Sequence, residues 1–223
     1  MPGREQESLA SRWRDFENLP NLTKHWYWRP GWQPGRSFYT WHLTFAGQAA
    51  LHQLVRRVQA ALDVPGLDLV ALDSLHLTMQ GVGFTNEVDD VDAIAAAAAP
   101  RCAAVSAFRV SLGPVDPDAE GVGLLVSPWA PIQRVRDAVR DAIGSVRGDV
   151  PEPAEGFRPH VTVAYSGAAV AAATVRDRLR PLRHLPPVEV RVGDVQLIAL
   201  RREGRAYRWD VVASVPLRRC PTW

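Results

Sequence analysis

The sequence predicts an α+β fold in which a β-α-β-α-β unit is duplicated into two lobes, with antiparallel-rich sheets facing a central cleft. Three observations carry this. The order strand, helix, strand, helix, strand can be read twice along the chain. Equivalent strands of the two halves carry matching tetrads, His76-Leu77-Thr78-Met79 and His160-Val161-Thr162-Val163. A turn at Glu203-Gly204 joins the last two strands as a hairpin.

Residues 1–36 stand apart, mixing charge, Pro and Gly with Trp13, Phe16, Trp26, Tyr27, Trp28 and Trp32. This composition suits an irregular arm laid across a domain rather than a core element. Residues 37–223 then form a single bilobal domain, with lobe halves at about 37–115 and 116–223 that can exchange strands. Phe38 to Phe45 alternates as a strand, the apolar spacing from about Gln48 to Leu62 is helical, Pro65-Gly66 breaks the chain, and Leu75 to Val82 is a second strand. Asn86 is placed to cap a helix through the alanine-rich stretch to about Ala99, Pro100 closes it, and Ala107 to Leu112 alternates again. The second half repeats the order: strand Val122 to Ser127, helix Pro131 to Val146, strand Pro159 to Tyr165, helix Ala168 to Leu182 and strand Val188 to Leu200, with Ala206 to Val215 as the hairpin's return.

Composition narrows the class. At 223 residues, 47% hydrophobic and 22% charged, the chain can bury a substantial core. No apolar run reaches the roughly 18 residues of a membrane span and the N-terminus is polar, so the expected location is the cytoplasm, away from membranes. Cys102 and Cys220 fit neither a disulfide framework nor a cysteine zinc site, and both read as ordinary thiols. Every basic residue except Lys24 is arginine; arginine suits bidentate phosphate contacts, and a GC-rich genome produces the same bias.

The tetrads carry the chemistry. Side chains alternate across a strand, so His and Thr at i and i+2 share a face while Leu77, Met79, Val161 and Val163 turn to the other. If the lobes face each other across a dyad, two imidazoles and two hydroxyls meet over one cleft. In-line displacement at phosphorus needs a base for the entering oxygen, an acid for the leaving oxygen opposite, and donors for the equatorial oxygens. Histidine, with a reference pKa of about 6.5, serves as either acid or base near neutrality, so no metal or cofactor is required. Six histidines and 18 hydroxyl residues would give about half of one His-x-Ser/Thr by chance, and there are three. The third, His42-Leu43-Thr44-Phe45, has no histidine at its counterpart strand Val122 to Ser127 and reads as structural, or else as a neighbour touching phosphate or base alongside Tyr39. A zinc site is disfavoured, since there is no His-x-His, no His-Glu-x-x-His and no carboxylate beside either tetrad.

The duplicated tetrads, the lead-in Phe157-Arg158-Pro159-His160 and the segment Leu75 to Gly83 resemble the two-histidine (2H) phosphoesterase superfamily, in particular its bacterial 2'-5' RNA ligase-like branch, over about residues 37–215. The resemblance implies a LigT-like bilobal fold, no metal, and hydrolysis of 2',3'-cyclic phosphates or reversible 2'-5' linkage chemistry. The partner implied is a nucleotide or RNA terminus with a cyclic phosphate, and we expect a monomer. The residues carried over are His76, Thr78, His160 and Thr162, with His160 activating water and His76 protonating the leaving ribose oxygen, or the reverse. Tyr165 and Phe84 follow the tetrads and either stack on a base or simply pack; Arg158 either contacts phosphate or does not. The chain departs from the family in its aromatic arm and in Met79-Gln80-Gly81, where a hydrophobic residue and an aromatic are usual. Two other readings stay open, a 2H enzyme acting on another small phosphodiester and an RNA-end or nucleotide-binding module without turnover.

Overall fold

The computed structural model describes residues 9–219; Cys220 lies outside them. In chain order the elements are α1 (Leu9–Glu17), β1 (Ser37–Thr44), α2 (Ala49–Ala61), β2 (Leu67–Leu69), β3 (His76–Phe84), α3 (Val91–Ala103), β4 (Phe108–Asp118), β5 (Gly121–Ser127), α4 (Trp129–Arg147), β6 (His160–Ser166), α5 (Ala172–Leu179), β7 (Val188–Val192), β8 (Asp194–Glu203) and β9 (Ala206–Pro216). The class is α+β, with every strand pairing antiparallel to its neighbours.

Two sheets result, one ordered β3-β1-β8-β9 and the other β2-β6-β5-β4-β7. They are related position for position: β3 and β6 carry the tetrads, β1 and β5 pair with them, then β8 and β4, then β9 and β7. Connectivity crosses between the halves. α3 and α4 pack on the first sheet, through β9 and β3, whereas α1 and α2 lie against the second and α5 packs on both of these helices. Leu77, Met79, Val161 and Val163 are buried, as alternation requires, and join one core with Leu51, Val55, Val135 and Val139 from the helices.

Several boundaries differ from expectation. The run from Val188 to Leu200 is two strands separated at Gly193, each pairing in a different sheet. Pro100 does not close α3. The helix starts after Asp90 rather than at Asn86 and continues to Ala103 because Cys102 is wholly buried there, while the Arg101 side chain donates to the Ala97 carbonyl at 2.7 Å. Burial pushes the Cys102 thiol up to about 11, so it is an inert apolar filler. The arm is more than a surface strap: α1 buries Trp13 and Phe16, Arg12 pairs with Asp116 at 2.8 Å, and Trp13 Nε1 donates to the Val115 carbonyl. Each fully buried aromatic of this kind contributes about 1.5–3 kcal/mol. No helix among the described residues is long and apolar enough to cross a membrane.

Candidate functional site

The cleft between the sheets encloses about 640 Å³, and its lining includes His76, Thr78, His160 and Thr162. Each histidine opens its strand, and each is oriented in the same way. His76 Nδ1 donates to the Ser74 carbonyl at 2.8 Å and His160 Nδ1 donates to the Arg158 carbonyl at 2.9 Å, two residues upstream in both cases. The local sequences set these anchors up: Leu72–Ser74 form a short 3-10 turn before β3, and Pro159 restricts Arg158 to extended backbone before β6. A carbonyl can only accept, so the neutral rings carry their proton on Nδ1 and present a bare Nε2.

The surroundings of the two rings differ. His42 is fully buried, lies across the β1–β3 ladder from Thr78, and stacks on His76 with ring centroids 4.4 Å apart and planes 2° from parallel. Its Nε2 sits 3.3 Å from Thr78 Oγ1. Trp209 closes the edge of His76 at 5.3 Å. Desolvation, reinforced by His160 and opposed by the Ser74 bond, lowers the His76 pKa to about 4. Burial and His76 likewise hold His42 well below the ordinary value. On the other side Gly123 occupies the ladder position opposite Thr162, and His160 is exposed.

The remaining expected residues divide. Tyr165 lines the cleft, and burial raises the pKa of its hydroxyl. Arg158 lines it too, with its guanidinium held by Asp116 at 3.1 Å and Asp118 at 3.8 Å. His42 lines it as a wall behind His76 and Thr78. Tyr39 does not reach it: on β1 the cleft face holds Phe38, Thr40 and His42, and alternation turns Tyr39 onto the core. Phe84 is not a lining residue either, and instead packs edge-on to Phe38 and Trp32 with Arg36 over its ring at 3.6 Å. Gln80, the departure noted after the first tetrad, is buried and receives Arg140 at 2.6 Å while donating to the Pro151 carbonyl. With Arg136, which donates to the carbonyls of Met79, Pro153 and Ala154, it fastens the loop leading to His160 onto β3.

Sequence reasoning missed part of the wall. His25 stacks on Tyr165 at 4.1 Å, bonds Glu120 through Nδ1 at 2.7 Å and meets the Tyr207 hydroxyl through Nε2 at 2.9 Å. Burial outweighs Glu120 and lowers its pKa. Tyr207 and Trp209 share one face of β9, a spacing visible in the chain, but nothing local ties that strand to His76. Among the described residues no group of three or more His, Cys, Asp or Glu is arranged to hold a metal ion.

The model of the 2'-5' RNA ligase superfamily matches residues 47–204. The fold is similar to that of E. coli LigT complexed with 3'-AMP, at TM-score 0.62 and 17% identity over 82% of this chain and 98% of that one. It is similar also to TT0787 of Thermus thermophilus, at TM-score 0.58 and 20% identity over 82% and 98%. A crystal structure described simply as that of a phosphoesterase gives TM-score 0.61 and 17% identity over 82% and 99%. No curated protein matches the chain. Because the family model covers well over half of the sequence and its tetrad strands stand in equivalent places of two related sheets, this chain belongs to the 2'-5' RNA ligase superfamily.

Proposed function

We propose that the protein is a metal-independent phosphodiesterase that opens 2',3'-cyclic phosphates of nucleotides or RNA ends. The observation that carries this is the pair of imidazoles on equivalent strands, each held by Nδ1 to a carbonyl two residues back and each presenting Nε2 to one cleft. Binding alone has no use for two such bases, which argues against a module without turnover. The LigT structures contain 3'-AMP, ATP and NADP+, which supports a nucleotide in the equivalent cleft.

The lowered pKa of His76 favours it as the base, the reverse of the first assignment from sequence. His76 Nε2 removes a proton from water as the water oxygen bonds to phosphorus. The bond from phosphorus to one ribose oxygen breaks, and that oxygen takes a proton from His160 Nε2. The hydroxyls of Thr78 and Thr162 donate to the non-bridging oxygens. The product is a phosphomonoester, and proton exchange with solvent resets both rings.

The test is turnover of the four 2',3'-cyclic nucleoside monophosphates with EDTA present. EDTA-resistant hydrolysis is expected; hydrolysis abolished by EDTA and restored by a divalent ion, or none with any of the four, sinks this reading.

A further inference from the structure

The arm lies outside the matched family region, yet it borders the whole cleft. His25 stands at one end, against Tyr165 and Tyr207, and Tyr207 is 6.5 Å from His76. Trp32 stands at the other, with its ring 5.8 Å from Phe38 and tilted by 31°, and both rings line the cavity. Phe38 is four residues from His42 along β1, which places this pair roughly 13 Å from the histidines. The arm is fastened between these points. Arg202 donates to the carbonyls of Trp26 and Tyr27, Trp26 Nε1 donates to Asp68 at 2.8 Å, and Arg36 donates to the Gly31 carbonyl at 2.8 Å. The cleft therefore has an aromatic surface beside the phosphate site and a second, preformed one a strand's length away.

A cyclic mononucleotide carries a single base and can cover only one of these surfaces at a time. The charge of the lining sets the upper limit. Arg29, Arg158 and Arg202 are accompanied by Asp116, Asp118, Glu120 and Glu152, so the cleft lacks the positive excess that tracks a long polyanion. We propose that Trp32 and Phe38 form a second base-stacking subsite, and that the preferred substrate carries one further nucleoside beyond the one whose phosphate lies at the histidines. This rests on the phosphodiester reading above. Substrate choice then depends on the arm.

The test compares kcat/KM, in EDTA, for 2',3'-cyclic AMP, for ApA ending in a 2',3'-cyclic phosphate, and for the corresponding trinucleotide. Stacking one base gives on the order of tenfold preference for the dinucleotide over the mononucleotide. The trinucleotide should gain nothing more. Trp32→Ala should bring the ratio close to one, Trp32→Phe should restore part of it, and Trp28→Ala, which changes an exposed ring outside the cleft lining, should keep it. Equal kcat/KM for mono- and dinucleotide in the wild type, or a ratio untouched by Trp32→Ala, overturns the subsite while leaving the phosphodiesterase standing. If no substrate turns over, the phosphodiesterase reading fails on its own, and calorimetric titration with 3'-AMP against 3'-phosphorylated ApA decides the subsite. Tighter dinucleotide binding lost in Trp32→Ala upholds it; equal binding overturns it.

Discussion

The two halves of the cleft share a backbone and differ in what stands across the ladder from each threonine. Opposite Thr78 is His42, whose ring covers a face of His76; opposite Thr162 is Gly123, where a Cβ would lie 3.2 Å from the Val161 carbonyl oxygen. The carbonyl anchors of the two imidazoles are the same to within 0.1 Å, at 2.8 and 2.9 Å. The symmetric part of the fold thus aims two equivalent rings, and the side chain opposite each threonine is one place where their surroundings diverge. Acid–base chemistry needs two groups in different roles, and a duplicated backbone can distinguish them only where the duplication is broken.

The largest expected effect tests whether both halves are needed. His76→Ala and His160→Ala should each lower kcat on a cyclic nucleotide by about 10²–10⁴-fold. The double variant should fall little below the worse single one, because the pair works as a unit. Either single variant within tenfold of wild type breaks the comparison, since one half would then be dispensable.

A smaller effect sharpens it. His42→Ala removes the stacked ring, lets water reach His76, and should move its pKa from about 4 toward 6.5. The acid limb of the kcat/KM profile should rise with it, and nitrogen NMR of His76 reports the same titration directly. The cavity costs about 2–4 kcal/mol, so loss of stability accompanies the shift. His42→Phe separates the two: it keeps a ring against His76, it removes a buried Nδ1 that has no partner among the described residues, and the limb should stay low. A limb that stays near 4 in His42→Ala means that the rest of the wall, not His42, dries His76.

These contrasts explain how much was legible in the chain. The tetrads and the elements bearing them were readable because strand alternation is local: a His and a Thr two apart must share a face wherever the strand goes. That His42 stands on the strand beside the first tetrad, with no histidine in the corresponding strand of the other half, followed from the same order. The stacking of His42 on His76 was not readable, since it depends on the β1–β3 register, with its shift between Trp41 and His42. Tyr39 was misplaced for a related reason: an odd separation from His42 in sequence means the opposite face in a strand. Gly193 hid a change of sheet inside one apolar run, and His25 joined the site through contacts with residues 95 and 182 positions away.

The smallest effect concerns stability. His76, His42 and His25 all have lowered pKa values, with burial the largest cause each time. Between the unfolded value near 6.5 and the folded value, about 4 for His76, the unfolded chain holds a proton that the folded chain refuses. Falling pH in that window therefore favours unfolding, by at most about 1.4 kcal/mol per pH unit for each such histidine. Asp116, raised by burial, works in the opposite direction in acid, so the wild-type slope alone sums opposing contributions. The difference between wild type and His76→Gln cancels that contribution. Urea midpoints measured at pH 7, 5.5 and 4.5 should fall less in His76→Gln than in wild type. Identical losses would mean that burial does not lower the His76 pKa.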